Sequence, residues 1–300
     1  MFYEPLIKIA KEENCFVIED QPLAKYTSFK IGGKADLMIN VFGEMALIKI
    51  LKFICSEKIP YYILGNGSNL LINDNGFRGV ILKLSGEFTD IKLLNNDVIL
   101  CGAGAKISKL CLFTLENYLS GLEFLWGIPA SLGGAVFMNA GAYNLEIKDV
   151  FLSCSHITPC GRVEELKKEG LEFGYRKSVY MKSKNIITFV KLQLQKANKL
   201  AIKSKMDDFL QKRKEKQPLN YPNAGSIFKR PIGNFAGTLI SNCGLKGLRI
   251  GGAQVSEKHA GFIVNTGVAT CEDVLNLIKL VQEEVFKKSG VLLEKELMVL

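Results

Sequence analysis

No apolar run in this 300-residue sequence approaches the roughly 18 residues that a membrane-spanning helix needs. Membrane insertion is therefore not expected. Histidine is scarce: only His156 and His259 occur, neither in a hydrolase-type motif. Gly-x-Ser-x-Gly is also missing, which argues against a serine hydrolase triad. None of the eight cysteines forms a Cys-x-x-Cys pair. The nearest approach to a metal pattern is Cys154-x-His156-x3-Cys160. Its spacing matches no standard zinc arrangement and the segment reads as a strand with its turn, so no metal site is expected. An even cysteine count in a long chain without a signal is poor evidence for disulfides. The N-terminus lacks the basic-then-apolar pattern of a signal peptide, so the cytoplasm is the expected compartment. Internal repeats and low-complexity tracts are absent as well.

What is present is ordinary for a globular protein: 48% hydrophobic and 23% charged residues, enough for one large domain or two. The net charge of +9 favours anionic partners without naming them. Much of the excess lies in Lys203 to Lys216. That stretch also places Met206, Phe209 and Leu210 on one helical face, so its charges read as a solvated outer face and not as a nucleic-acid groove.

Periodicity predicts a helix within residues 1–20 and a second over 44–57, with Ala46, Leu47, Ile50, Leu51 and Ile54 inward. Further helices are expected at 107–119, 200–217, 235–243 and 271–288, the last burying Val274, Leu277, Ile278, Val281 and Val285. Strands are expected at 35–41, 61–64, 79–84, 97–101, 150–158, 186–194, 262–265 and 292–300. Mixed elements without regular βαβ alternation indicate α+β. A boundary falls near 196–222.

Two glycine-rich stretches stand out. Gly121–Tyr143 carries five glycines among apolar residues, including the pair Gly133-Gly134, which allows close backbone approach. Gly65-Asn66-Gly67-Ser68-Asn69-Leu70 lies upstream. Together they suggest a large phosphate-bearing ligand held by main-chain amides. A dinucleotide-binding Rossmann loop would open into a helix; here a turn and strand follow, and position 70 is Leu where the third glycine belongs. The loop is thus a phosphate cradle of another kind or a plain connection.

Three polar groups can carry chemistry. Ser226, after Gly225, is either a presented hydroxyl or a turn cap. Arg176, in Phe173-Gly-Tyr-Arg176, offers a fixed donor fork for carboxylate or phosphate, or a surface ion pair. Glu294 and Glu296 share one face of the expected last strand, as solvated edge residues or as a partly buried acid. Glycine-rich segments 236–247 and 250–261 could line an anionic ligand or simply cap and connect helices.

Order and spacing join these signals. From Tyr26–Gly33 through Gly65–Leu70, Gly121–Tyr143, Phe173–Arg176, Asn223–Lys229, Gly251–Asn265 and Leu293–Glu296, the chain resembles the UDP-N-acetylenolpyruvoylglucosamine reductase family. The resemblance implies an α+β fold, with a two-lobed FAD-binding domain of the vanillyl-alcohol-oxidase (PCMH) type at 1–196, lobes about 1–84 and 85–196. An α+β substrate-binding domain at 197–290 and a returning strand at 291–300 would follow. It implies FAD as cofactor and NADPH as co-substrate, with hydride reaching C3 of the enolpyruvyl ether and a proton reaching C2. The product is UDP-N-acetylmuramate for peptidoglycan, which ties the activity to cell shape and division. By the same resemblance Gly65, Asn66, Gly67, Ser68 and Asn69 hold the pyrophosphate, while Gly127, Ile128, Pro129, Gly133, Gly134 and Asn139 line the flavin. Arg176 and a protonated Glu296 would stabilise charge on the substrate carboxylate, and Ser226 would protonate C2. Lys216, Lys229 and Arg230 are candidates for the diphosphate, and a monomer is the expected state. Two positions depart from the family pattern: Ala130 stands where glycine is common, and Arg230 where Asn is common. The short gap from Tyr180 to Ile186 resembles the subtype without a substrate-covering tyrosine loop. Rival readings are an oxidase on the same fold, which would not need the Ser226 loop or a basic diphosphate site, a non-catalytic flavin sensor, and a basic nucleic-acid binder.

Overall fold

The helix Glu44–Ser56 shows how the sequence makes its own structure. Its apolar residues recur at helical spacing, and Ala46, Leu47, Ile50, Leu51 and Ile54 are all buried. Helix Cys271–Ser289 repeats the logic with Val274, Leu277, Ile278, Val281 and Val285 inward. A capping box between Thr270 and Asp273 starts it and Gly290, at φ 69°, ends it. Asp74 adds a carboxylate on the Cys271 amide at 2.9 Å, where the helix dipole favours negative charge. The helix Lys199–Lys216 buries Ile202 and Met206 and turns its lysines to solvent.

The computed structural model describes residues 3–300. Met1 and Phe2, part of the expected N-terminal helix, lie outside the described residues; the helix itself is Glu4–Glu12. Contacts divide the chain into two compact units. The first comprises the N-terminal residues to Asp20, Asp36–Asn66 and Arg78–Gln211. The second comprises Gln21–Ala35, Gly67–Phe77 and Lys212–Leu300. Each has its own core. Leu47, Ile50, Phe88, Leu110, Phe124 and Val190 belong to the first; Phe29, Leu71, Ile227, Ile263, Val274 and Leu297 belong to the second.

A five-stranded sheet runs through the first unit in the order Val163–Lys167, Phe151–Ile157, Ile186–Gln193, Val98–Gly102, Ile91–Leu93, every pairing antiparallel. A four-stranded sheet has the order Phe16–Pro22, Lys34–Val41, Phe77–Leu84, Tyr61–Ile63, its last pair parallel. In the second unit Asn223–Ser226, Phe262–Asn265, Ala253–Val255 and Arg249–Ile250 form an antiparallel sheet. Mixed helices and strands without βαβ alternation agree with the α+β expectation.

One helix is unforeseen and two local expectations are corrected. The stretch Gly121–Tyr143 contains a helix, Leu132–Phe137, started by the side chain of Ser131 accepting from the Gly134 amide at 3.3 Å. The helix expected over 107–119 ends at Glu116, and Leu119–Ser120 is instead extended, pairing with Gln195–Lys196. The strand expected over 292–300 shrinks to a bridge from Lys295 to Phe228 and the pair Met298–Val299. Glu294 and Glu296 therefore do not share the face of a regular strand. Main-chain bonds to the Ile227 carbonyl and then to Asn69 draw this segment out of a single ladder.

All eight cysteines are free. The Cys154–Cys160 stretch is the strand and turn expected. His156 is buried, its Nδ1 3.0 Å from Tyr180 Oη and its Nε2 3.0 Å from Asn185 Nδ2; Tyr180 Oη in turn lies 3.0 Å from Cys154 Sγ. Among the described residues no group of three His, Cys, Asp or Glu side chains is placed to hold a metal ion. Among the described residues no helix is long and apolar enough to cross a membrane.

Burial lowers the pKa of His156 below its ordinary 6.5, against a smaller opposing pull from Glu164. Burial, helped by Lys246, also lowers that of His259. The unfolded chain therefore takes up protons first as pH falls below about 6.5, and the folded state loses stability from there down to the depressed values. The thermal midpoint should drop as pH falls from 7 to 5. A His156→Gln, His259→Gln double variant should show a shallower drop; an unchanged slope would assign the acid sensitivity to other groups.

Candidate active site

The two glycine-rich loops meet. A Cβ built on Gly65 would lie 2.4 Å from Ser131 Oγ, so only a residue without a side chain allows this approach. Ser131 is buried and its segment bridges to Lys106. Gly133 packs as tightly, since a Cβ there would lie 2.8 Å from Ala103 Cβ. The amides of Leu132 and Gly133 donate to the carbonyls of Ala105 and Ala103 at 2.9 and 2.7 Å. With Gly134 bound to Ser131, the first amides of this short helix already have protein acceptors. The Leu132, Gly133 and Gly134 amides are therefore spent on the protein itself. On the same loop Gly127 is half-buried, Ile128 is exposed and Pro129 is half-buried. Ala130 has no positive φ, so alanine fits there without strain.

The first loop is different. Among the described residues, the amides of Gly65, Asn66, Gly67 and Ser68 have no protein acceptor. Lys83, half-buried, donates to the Gly65 carbonyl at 3.2 Å; burial, with Lys106 nearby, lowers its pKa. Gly67, at φ 59°, turns with its Cα hydrogens against Tyr26, whose carbonyl would lie 2.3 Å from a Cβ.

Within the second unit three strips of main chain are laced together. Asn69 Nδ2 donates to the Glu296 carbonyl at 3.1 Å and the Met298 amide donates to the Asn69 carbonyl at 3.2 Å. The Glu296 amide donates to the Ile227 carbonyl at 2.8 Å. Ser226 directly precedes Ile227, so the main chain at Ser226 and at Glu296 is brought together, and Asn69 is bonded to Glu296 as well. Ser226 is exposed at the end of a bulged strand whose register shifts between Asn223 and Ser226. The Asn223 side chain fixes that bulge, accepting from the Gly225 amide at 3.0 Å and donating to the carbonyls of Pro218 and Tyr221. Glu296 is half-buried.

Arg176 sits in the first unit, on a two-residue turn closed by reciprocal 3.1 Å bonds between Gly174 and Lys177. Its backbone is left-handed, φ 52°, a conformation costly for arginine and over-represented at functional sites. Its Nη2 donates to the Gly141 carbonyl at 3.0 Å and its Cζ lies 5.0 Å from the centre of the Tyr175 ring. Asn139 is fully buried. Its Nδ2 donates to Gly174 O at 2.9 Å and Glu146 Oε2 at 3.1 Å, and its Oδ1 accepts from the Lys148 amide.

Of the expected diphosphate cations, Lys216 is exposed, Lys229 is ion-paired with Glu294, and Arg230 lies over the Phe235 ring at 4.7 Å. A cavity of about 530 Å³ in the same unit is lined among others by Lys214, Tyr221, Gln254, Ser256 and Lys258. Lys258 Nζ also donates to the Lys214 carbonyl at 2.6 Å.

Residues 217–300 match the model of the UDP-N-acetylenolpyruvoylglucosamine reductase C-terminal domain, and residues 36–167 match an FAD binding domain. The chain is similar to the UDP-N-acetylenolpyruvoylglucosamine reductase of Clostridioides difficile strain 630, 45% identical over 99% of this chain and 97% of the relative. It is also similar to that of Clostridium botulinum strain Hall, 48% identical over 95% of this chain and 92% of the relative. The solved reductase of Thermus caldophilus superposes with a TM-score of 0.82 at 38% identity, over 95% of this chain and 98% of that one. The chain belongs to the UDP-N-acetylenolpyruvoylglucosamine reductase family.

It is accordingly an FAD-dependent oxidoreductase, with an α+β fold. The first loop fits the cofactor: four successive unpaired amides and a partly buried ammonium suit a pyrophosphate. Reading the sequence alone passed over Ser131, Lys83, Lys214 and Lys258. A serine ahead of Leu-Gly-Gly is a helix-cap signal. Lys83 is the one charge in the apolar run Gly79–Leu84, and an unexplained charge in a buried strand is a signal too. Lys214 and Lys258 carry no comparable mark.

Overpacking of this kind costs about 1–3 kcal/mol. A Gly65→Ala variant should thus lose about tenfold or more in FAD affinity, read as cofactor retained on purification. Adding Ser131→Gly should recover part of it. Full FAD content in Gly65→Ala would show that the contact does not shape the site.

Proposed function

We propose that this chain reduces the enolpyruvyl ether of UDP-N-acetylglucosamine to UDP-N-acetylmuramate with NADPH, for peptidoglycan synthesis, acting in the cytoplasm as a monomer. The observation that carries the reading is the 45% identity over 99% of the chain, with the Arg176, Ser226 and Glu296 motifs in place. In this reading residues 1–196 bind FAD, residues 197–290 bind substrate and residues 291–300 return to the active site.

Bound FAD supplies hydride transfer from the nicotinamide to C3 of the enolpyruvyl group. Gly65, Asn66, Gly67 and Ser68 hold its pyrophosphate through their amides, Asn69 braces that loop, and Gly127, Ile128, Pro129, Gly133 and Gly134 line the flavin. Charge then grows on the substrate carboxylate. Arg176 and a protonated Glu296 stabilise it as donors fixed before the reaction begins. The hydroxyl of Ser226 delivers the proton to C2; its exposure at a bulge, without a protein hydrogen bond among the described residues, suits a group that must meet the substrate.

The cavity beside the Asn223 bulge is the place for the uridine diphosphate, with Lys214 and Lys258 as cations and Tyr221 as an aromatic wall. Lys229 can join only by leaving Glu294, an exchange of small cost at a surface pair. Lys216 and Arg230 offer further charge toward the same diphosphate.

The purified protein should be yellow and should oxidise NADPH only with the enolpyruvyl sugar nucleotide present. A protein that takes up no FAD, or that consumes oxygen on an alcohol without NADPH, would overturn the reading. Ser226→Ala should accept hydride from NADPH normally and reoxidise with substrate about a hundredfold or more slowly; slow reduction would remove Ser226 from this role. Lys258→Ala should raise KM about tenfold with kcat little changed, the mark of uniform binding, whereas an unchanged KM would place the diphosphate elsewhere.

A further inference from the structure

Three bonds tie the Arg176 turn to one neighbouring segment, residues 137–141. Ser178 Oγ donates to the Phe137 carbonyl at 2.7 Å on the C-terminal side of the turn. Asn139 Nδ2 donates to the Gly174 carbonyl at 2.9 Å at its opening. Arg176 Nη2 donates to the Gly141 carbonyl at 3.0 Å near its tip. Ser178 and Asn139 are both fully buried. Both hydrogens of the Asn139 carboxamide already have protein acceptors, Gly174 O and Glu146 Oε2, and its oxygen accepts from Lys148 N. Asn139 is itself left-handed at φ 43°, a conformation asparagine tolerates better than most residues.

From this we infer that Asn139 and Ser178 are positioning residues that clamp the strained Arg176 turn, and that Asn139 does not act as a flavin ligand through its side chain. The inference rests on the reading of Arg176 as the cation that meets the substrate carboxylate. A turn with arginine at positive φ relaxes unless its surroundings over-determine it. The clamp supplies that constraint: one anchor before the turn, one after it, and a carbonyl that receives the guanidinium itself. Glu146 holds the anchor in turn, bonded to Asn139 and ion-paired with Lys148 at 2.5 Å. A misplacement of about 1 Å at such a group can cost about a hundredfold in rate.

The test separates the two half-reactions of the FAD-loaded protein by stopped flow, for Asn139→Gly, Ser178→Ala, Arg176→Lys and the two double variants with Arg176→Lys. Asn139→Gly keeps the left-handed backbone accessible while deleting the carboxamide. Each single variant should slow reoxidation by substrate about tenfold or more, with FAD content and reduction by NADPH within about twofold. In the Arg176→Lys background either clamp variant should add less than about twofold, because residues acting through one group are not additive. Full multiplicative losses, or FAD loss with normal reoxidation in Asn139→Gly, would overturn the clamp. If Arg176→Lys alone reoxidises normally, the reading of Arg176 falls and the clamp with it, a result visible before any double variant is made. Should Asn139→Gly not fold, the Ser178→Ala cycle decides by the same criterion.

Discussion

The arrangement depends on a side chain that is not there. At Gly65 the main chain comes so close to Ser131 that a single carbon would collide with the hydroxyl, 2.4 Å away. This contact joins two loops far apart in sequence. It also separates their duties. The Ser131 loop directs its first helical amides inward, onto Ala105, Ala103 and Ser131 itself. Among the described residues, the amides of Gly65, Asn66, Gly67 and Ser68 have no protein acceptor. Of these four residues only Gly67 is buried, and an amide without an acceptor there is costly unless solvent or an anionic ligand completes it. Main-chain hydrogen bonding therefore distinguishes a loop whose amides are spent on packing from one whose amides are not, although both look alike as strings of glycine and small polar residues.

Local strain marks the other half of the first unit's contribution. Arg176 and Asn139 both hold left-handed backbones, and each is fixed by bonds to the segment of the other. Neither conformation is favoured by its own residue type as much as glycine would favour it. Chemistry explains the choice, since glycine has no guanidinium to present and no carboxamide to bridge three partners. The fold accepts roughly 1–3 kcal/mol of backbone strain per such residue where a side chain is needed at that point.

Much of this was legible in the residues. The helices Glu44–Ser56 and Cys271–Ser289 follow from spacing alone, down to each inward residue, because packing there agrees with periodicity. The turn and strand after Leu70 were legible too, and they correctly removed the Rossmann option. Other elements were hidden by competing physics. Helix Leu132–Phe137 carries two glycines, poor helix formers, and owes its existence to a serine cap and to packing on Ala103. Strand Val163–Lys167 is a mostly exposed, charged edge with no apolar alternation to betray it. The C-terminal segment has the composition of a strand, yet its amides are shared between Ile227 and Asn69, partners that no local pattern reveals. Lys214 and Lys258 looked like any surface lysines, since a cavity is a property of the fold and not of a motif.

The C-terminal lacing has a consequence for how the second unit can work. The main chain at Asn69 receives the Met298 amide, its side chain holds the Glu296 carbonyl, and the Glu296 amide holds Ile227, next to Ser226. The Leu71 carbonyl and the Asn73 amide extend the lattice to Leu300, at 2.9 and 2.7 Å. A displacement of the Gly67–Asn69 turn cannot then leave Glu296 or Ser226 where they were. One set of bonds therefore fixes Asn69, Glu296 and the residue that follows Ser226 together. A short, irregular terminus does this better than the regular strand expected there, because a ladder would commit its bonds to one neighbour, whereas this segment divides them between two.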